Sequence, residues 1–179
     1  MVRRHREVRP RMKTSARELR HVRRRRAPGC PEHVIVAPLW VAYEANLGTL
    51  LRTCDAVRAC IAVPRTAHYR SALLKGDTLR DRPHIHWIEG DKAEWIRRER
   101  ARGARIIAVE LADDSVRLSE LQPARCRTVV LLGHEGDGVP DEIWPLLDDV
   151  VEIPMVGVGA SLNVAVAGSL VLYRLAGLS

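Results

Sequence analysis

The chain lacks any run of about 18 consecutive apolar residues, the length needed to cross a bilayer, and has no apolar segment behind its first charges, which argues against a membrane span and a secretory signal. It also lacks the spacings that mark common metal and redox sites. Cys30, Cys54, Cys60 and Cys126 form no Cys-x-x-Cys pair and have no companion histidine at zinc-ligand spacing. They read as reduced, mostly buried thiols, no metal site is expected, and the protein is expected to be soluble and cytoplasmic.

Acidic residues are scarce at the N-terminus. Residues 1 to 26 hold twelve Lys and Arg against Glu7 and Glu18, whereas the remaining 17 basic and 20 acidic residues leave the body at a net charge of −3. Such an arm suits a polyanion, because each cation that meets a phosphate releases counterions and adds salt-sensitive affinity. A solvated tail has the same composition. An organelle-targeting segment fits less well, with one Ser and few apolar residues. Ser15 and Glu18 have capping-box spacing, so the arm is expected to hold a short helix to about Arg26, ended by Pro28-Gly29.

The rest, 29–179, reads as one domain behind an arm of residues 1–28, since 179 residues are too few for two ordinary domains. Short apolar strands alternate with helical segments. Strands are expected over Val34–Leu39, Ala59–Val63, Ile85–Ile88, Ile106–Leu111, Thr128–Leu132 and Val150–Ile153. Helices are expected over Leu47–Val57, Arg70–Gly76, Lys92–Arg102, Asp141–Leu147 and Leu162–Leu175. Continuously apolar strands such as Val129–Leu132 indicate an α/β fold, a mainly parallel sheet covered by helices on both faces. Ligands gather at the carboxyl ends of such strands, so the loops there are the places to look for chemistry.

Three of those segments stand out. In Asn46-Leu-Gly-Thr-Leu-Leu-Arg52, Asn46 suits a helix N-cap, and Arg52, six residues on, can grip a phosphate with two hydrogen bonds. A capped surface helix with a solvated Arg has the same spacing. Gly133-His-Glu135-Gly-Asp-Gly-Val-Pro140 is no phosphate loop, because it lacks the Gly-Lys-Ser/Thr ending and carries two acids that repel phosphate. It is a tightly turning backbone that can approach a neutral or cationic ligand. In Ile153-Pro-Met155 through Ser161-Leu162-Asn163, either Ser161 or Asn163 can cap the helix that follows. That helix is apolar on nearly every face and is expected to be buried in the core or against a partner subunit.

In this order, the three segments resemble the three motifs of the SpoU (TrmH-like) family of the SPOUT class of RNA 2'-O-ribose methyltransferases. The resemblance covers Val34 to Leu175 in outline and is strong in the motifs. It implies a C-terminal trefoil knot, a homodimer with the last helix in its interface, and S-adenosylmethionine held near Val109, Gly133, Ile153 and Leu162. It implies 2'-O-methylation of a ribose in tRNA or rRNA, tRNA favoured, by a set comprising Arg52, Asn46, Glu135, Ser161 and Asn163. Arg52 is the family's proposed catalytic group; because an ordinary guanidinium stays protonated, positioning and stabilising a forming alkoxide is its physically simpler role. Ala165, where many relatives have a second Ser, and the acidic Gly136-Asp137 depart from the family pattern. The alternatives are a noncatalytic RNA-binding protein on the same fold, a base methyltransferase of the wider class, and a DNA-associated basic protein.

Overall fold

The computed structural model describes residues 33–75, 83–159 and 161–178. The arm and its expected helix lie outside these residues, as does Gly76. The described chain runs β1 (Val34–Ala37), α1 (Glu44–Val57), β2 (Cys60–Pro64), α2 (Ala67–Lys75), β3 (Ile85–Ile88), α3 (Lys92–Ala101), β4 (Arg105–Val109), β5 (Val116–Arg117), β6 (Thr128–Leu131), a 3-10 helix (Asp141–Leu146), β7 (Asp149–Glu152) and α4 (Val164–Leu175).

All seven strands are parallel, in the order β3-β2-β1-β6-β4-β7-β5. Parallel pairing sends every carboxyl end to one edge, and both faces need cover. Two apolar cores result. On one face Leu47, Leu50, Leu51, Tyr69, Leu73, Val171 and Leu172 from α1, α2 and α4 pack on Val36, Ile61, Ile107 and Val130. On the other, Trp95 and Ile96 of α3 and Ile143 of the 3-10 helix pack on Ile35, Ala62, Ile106 and Val129. The alternation Ile106/Ile107 and Val129/Val130 between the two cores is the period-2 side-chain rule of a strand.

Elements matched the sequence reading in kind, with differences at their ends. The strands expected to reach Leu39, Leu111 and Leu132 stop at Ala37, Val109 and Leu131, because the chain must turn at the carboxyl edge. The segment 141–146 is a 3-10 helix, not an α-helix; Pro145 within it has no N–H to continue a longer helix. The two-residue β5 has no periodicity to read and was not anticipated. Helix α4 exposes part of its apolar surface: Val166, Leu170 and Tyr173 are 41–47% exposed while Ala165, Gly168, Val171, Leu172 and Leu175 are buried. Gly168 lets it lie close, since a Cβ there would stand 2.7 Å from Leu132 Cδ1.

Tyr69 of α2 fixes the loop between β1 and α1. Its buried hydroxyl donates to the Pro38 carbonyl at 3.0 Å, with the Val41 carbonyl at 3.4 Å. Burial, helped by the nearby negative charge of Glu135, pushes the phenol up, so it stays a donor. The cysteines depart from the expectation of four reduced thiols. Cys54 is buried and free and Cys126 exposed and free, but Cys60 is in a disulfide whose other half lies outside the described residues. No helix among the described residues is long and apolar enough to cross a membrane.

Candidate active site

Each of the three segments singled out in the sequence ends at one cavity of about 630 Å³ on the carboxyl edge of the sheet. Val109, Glu110 and Leu111 enter it from the end of β4, Leu132 and Gly133 from β6, and Val151 and Ile153 from β7. Ser161, Leu162, Asn163 and Val164 close it at the start of α4, and Tyr43 and Asn46 at the start of α1.

The Gly133 loop is held by its own backbone. His134 N–H donates to the Gly138 carbonyl and Gly138 N–H to the His134 carbonyl, both at 2.9 Å, so the chain turns back on itself within five residues. Gly133 must be glycine: a Cβ there would lie 2.2 Å from the Gly138 carbonyl carbon. Gly138 has φ +70, the left-handed region that favours glycine. His134 Nδ1 accepts from the amides of Gly136 (3.1 Å) and Asp137 (3.3 Å) and shapes the tip.

That tip carries Glu135 across to α1. Its carboxylate accepts from the Ala42 N–H at 3.0 Å, the Tyr43 N–H at 3.2 Å and the Asn46 side-chain amide at 2.8 Å. This corrects the expectation for Asn46. The N-cap of α1 is Tyr43, which makes no side-chain cap bond, and Asn46 sits in the first turn, nearly buried. Glu135, from a loop 90 residues away in sequence, bonds the amides at the helix entry instead. Released from capping, Asn46 uses both ends of its amide, since its Oδ1 accepts from Asn163 Nδ2 at 3.0 Å. Asn163 is the cap that the sequence offered as one of two choices, its Oδ1 accepting from Ala165 N–H at 2.9 Å and Val166 N–H at 3.2 Å. Ser161 lines the cavity without capping α4.

Burial acts to raise the Glu135 pKa, but the hydrogen bonds from Ala42, Asn46, its own backbone and Tyr43 outweigh it, so the carboxyl is held below its ordinary range. Glu110 goes the other way. Half-buried at the cavity wall, it is raised by desolvation, against which the Val139 N–H, donating to Oε1 at 3.0 Å, acts to lower it. Glu110 was missed in the sequence, although it directly follows a strand end, the position where ligand-facing groups collect. Arg52 is the one proposed site residue that does not line the cavity. It lies six residues beyond Asn46 on α1, exposed to solvent, about 9 Å further along the axis at 1.5 Å per residue.

A model of the SpoU rRNA methylase family matches residues 33–173. The chain belongs to that family. It is 32% identical over 175 residues to the tRNA (guanosine(18)-2'-O)-methyltransferase of Thermus thermophilus, covering 93% of this chain and 84% of that one. The enzyme of the same name from Aquifex aeolicus is 31% identical over 75% of this chain and 64% of its own. Among solved structures, an A. aeolicus TrmH/SpoU tRNA modifying enzyme superposes with a TM-score of 0.70 at 25% identity, covering 90% of this chain and 82% of that one. An AdoMet-bound rRNA methyltransferase from Sinorhizobium meliloti superposes with a TM-score of 0.67 at 27% identity, covering 80% and 55%.

The cavity fits S-adenosylmethionine. Its volume is in the range of small-molecule sites, about 300–1,000 Å³. Val109, Leu132, Ile153, Leu162 and Val164 offer apolar walls for a purine, and Glu110 and Glu135 supply negative charge for a ligand bearing a sulfonium.

Because the folded-state pKa of Glu135 is depressed, its contribution is complete above the ordinary carboxylate range and is lost as pH falls through the lower folded value. Acidification below that range is therefore expected to destabilise the protein, and Glu135→Gln to flatten that acid limb while lowering stability at neutral pH by about 1–3 kcal/mol. Urea denaturation of both proteins across the acid range measures this; equal pH slopes would show that the carboxylate is not the group involved.

Proposed function

We propose that this chain is a tRNA methyltransferase in which the residues of the three segments divide the work between cofactor and RNA. The activity is S-adenosylmethionine-dependent transfer of a methyl group to a ribose 2'-hydroxyl; tRNA is favoured over rRNA because the relatives at 30–32% identity over most of the chain are named for tRNA. The observation that carries the reading is the convergence of Asn46, Glu135 and Asn163 in one hydrogen-bonded set at the rim of a cavity of cofactor size.

The cofactor supplies an activated methyl group when bound. The chain's own part is to enclose it with Val109, Gly133, Ile153 and Leu162 and to order the rim through Glu135, Asn46 and Asn163, with Ser161 on the same wall. Arg52, outside the cavity and exposed, is the group we assign to the approaching RNA. There its guanidinium holds the nucleotide and stabilises charge forming on the 2'-oxygen once the bound RNA shields it from water. Alignment of that oxygen with the methyl carbon provides the remaining acceleration. The noncatalytic alternative leaves unexplained why the rim keeps this polar set around a cofactor-sized space.

Two assembly features belong to the same proposal. The solvent-facing stripe Val166, Leu170 and Tyr173 on α4, spaced i, i+4 and i+7, forms the interface of a homodimer. The arm of residues 1–28 precedes the methyltransferase domain of 29–179 and contributes RNA affinity that the net-negative domain does not supply. The fold is taken to include the family's C-terminal trefoil knot, in keeping with β6 lying between β1 and β4 while α4 returns to pack on α1. The cytoplasm is the proposed setting.

Purified protein given labelled S-adenosylmethionine and tRNA should yield a nuclease-resistant 2'-O-methyl dinucleotide; a methylated base or no product would sink the reading. Arg52→Ala should lose at least a hundredfold in methyl transfer while binding cofactor as before by calorimetry, and an active variant would remove Arg52 from the mechanism. Sedimentation should find a dimer that Leu170→Glu with Tyr173→Glu converts to monomer. Deleting residues 1–28 should weaken tRNA binding and flatten its dependence on salt; an unchanged slope would assign the affinity to the domain.

A further inference from the structure

Cys60, His84 and His86 form a second polar cluster, remote from the cavity. Their ligand atoms all lie within 4.8 Å of one another. The strand register explains how. Strands β2 and β3 pair in parallel with Ile61 opposite Ile85 and Ala62 opposite His86, which sets Cys60 beside His84. Residues i and i+2 of a strand share a face, so Cys60, His84 and His86 are all presented on the side of the sheet that bears Ala62 and α3. The small Ala62 stands opposite His86 on that face. The two rings are 4.3 Å apart at an interplanar angle of 40°. Cys60 is buried, His86 half-buried and His84 exposed.

We propose that Cys60, His84 and His86 bind a zinc ion. One thiolate and two imidazoles are a borderline-soft donor set suited to zinc. Tetrahedral bonds to nitrogen at about 2.0 Å and sulfur at about 2.3 Å require ligand atoms roughly 3.3–3.8 Å apart, so only a small contraction of the present cluster is needed. The binding form is the thiolate. The disulfide at Cys60 and the metal are mutually exclusive, so the ion binds the reduced protein. A disulfide by itself gives no reason for two histidines to gather round it.

The site's role is structural. Cys60 opens β2 and His84 precedes β3, so the cluster sits at the amino ends of the strands, whereas the cavity occupies their carboxyl ends. An ion here ties β3, the edge strand, to the body of the sheet.

The test uses the full chain, purified under a phosphine reductant. After incubation with zinc and exhaustive dialysis, elemental analysis should find one zinc per chain. Cobalt in its place should give the intense near-ultraviolet thiolate-to-cobalt band, a readout that needs no variant. Cys60→Ser and His86→Ala should each lose the metal at least tenfold in retention, Cys126→Ser should keep it, and chelation should lower Tm by several degrees. Less than a tenth of an equivalent of zinc in the reduced wild type, a cobalt complex without the thiolate band, or full retention by Cys60→Ser would overturn the proposal.

Discussion

One carboxylate holds the active-site rim together. Glu135 receives the amides of Ala42 and Tyr43 and the side chain of Asn46, and Asn46 passes the connection to Asn163, which caps α4. Asn46 comes from the first third of the chain and Glu135 and Asn163 from the last, and none can be satisfied by its sequence neighbours alone. Hydrogen bonds to a charged group contribute about 1.5–3 kcal/mol each, against about 1 kcal/mol for a neutral pair. The relay therefore has the strength to fix the relative position of two helix starts and a loop. Remove the charge and two amides at the α1 entry lose their partner, Asn46 loses its orientation, and the amide group of Asn163 has no fixed acceptor.

The relay works because the scaffold delivers its members to one edge. Seven parallel strands put their carboxyl ends together, and β6 lies between β1 and β4, so the Gly133 loop emerges directly beside the entry to α1. The loop's length is set by the Gly133 and Gly138 backbone contact, which leaves Glu135 at its apex. A β-carbon at either glycine would push that apex away from Asn46. Glycine in this loop thus serves a carboxylate, where a phosphate loop would use it to expose amides.

Much of this was legible in the sequence, for identifiable reasons. Continuous apolar strands such as Val129–Leu132 announce a sheet buried on both faces, and the three segments mark themselves by glycine, acid and capping residues placed after strands. What was not legible depended on contacts between distant residues. Asn46 has the composition of an N-cap and the position of a network residue, and only Glu135 arriving from elsewhere decides between them. Glu110 fell inside the expected strand Ile106–Leu111, and only the shorter strand puts it at the cavity wall, where it accepts from the Val139 N–H. His84 and His86 stand 24 and 26 residues from Cys60, outside any zinc spacing, and become neighbours through the pairing of β2 with β3.

The position of Arg52 follows from the size of the two reactants. A cofactor of a few hundred cubic ångströms can be enclosed, so the residues that hold it face inward and are ordered by the chain itself. An RNA cannot be enclosed, so any group that touches it must stand outside the cavity and be reached from solvent. Asn46 and Arg52 share one helix and divide in this way: the first turn of α1 is locked into the relay, and the third turn presents a cation to the outside. Fixing Asn46 through Glu135 therefore also fixes where Arg52 can reach, because a rigid α-helix transmits position over two turns. On the proposed reading, the relay that orders the cavity wall also aims the group that meets the RNA, and it does so without any direct contact between Arg52 and the cavity.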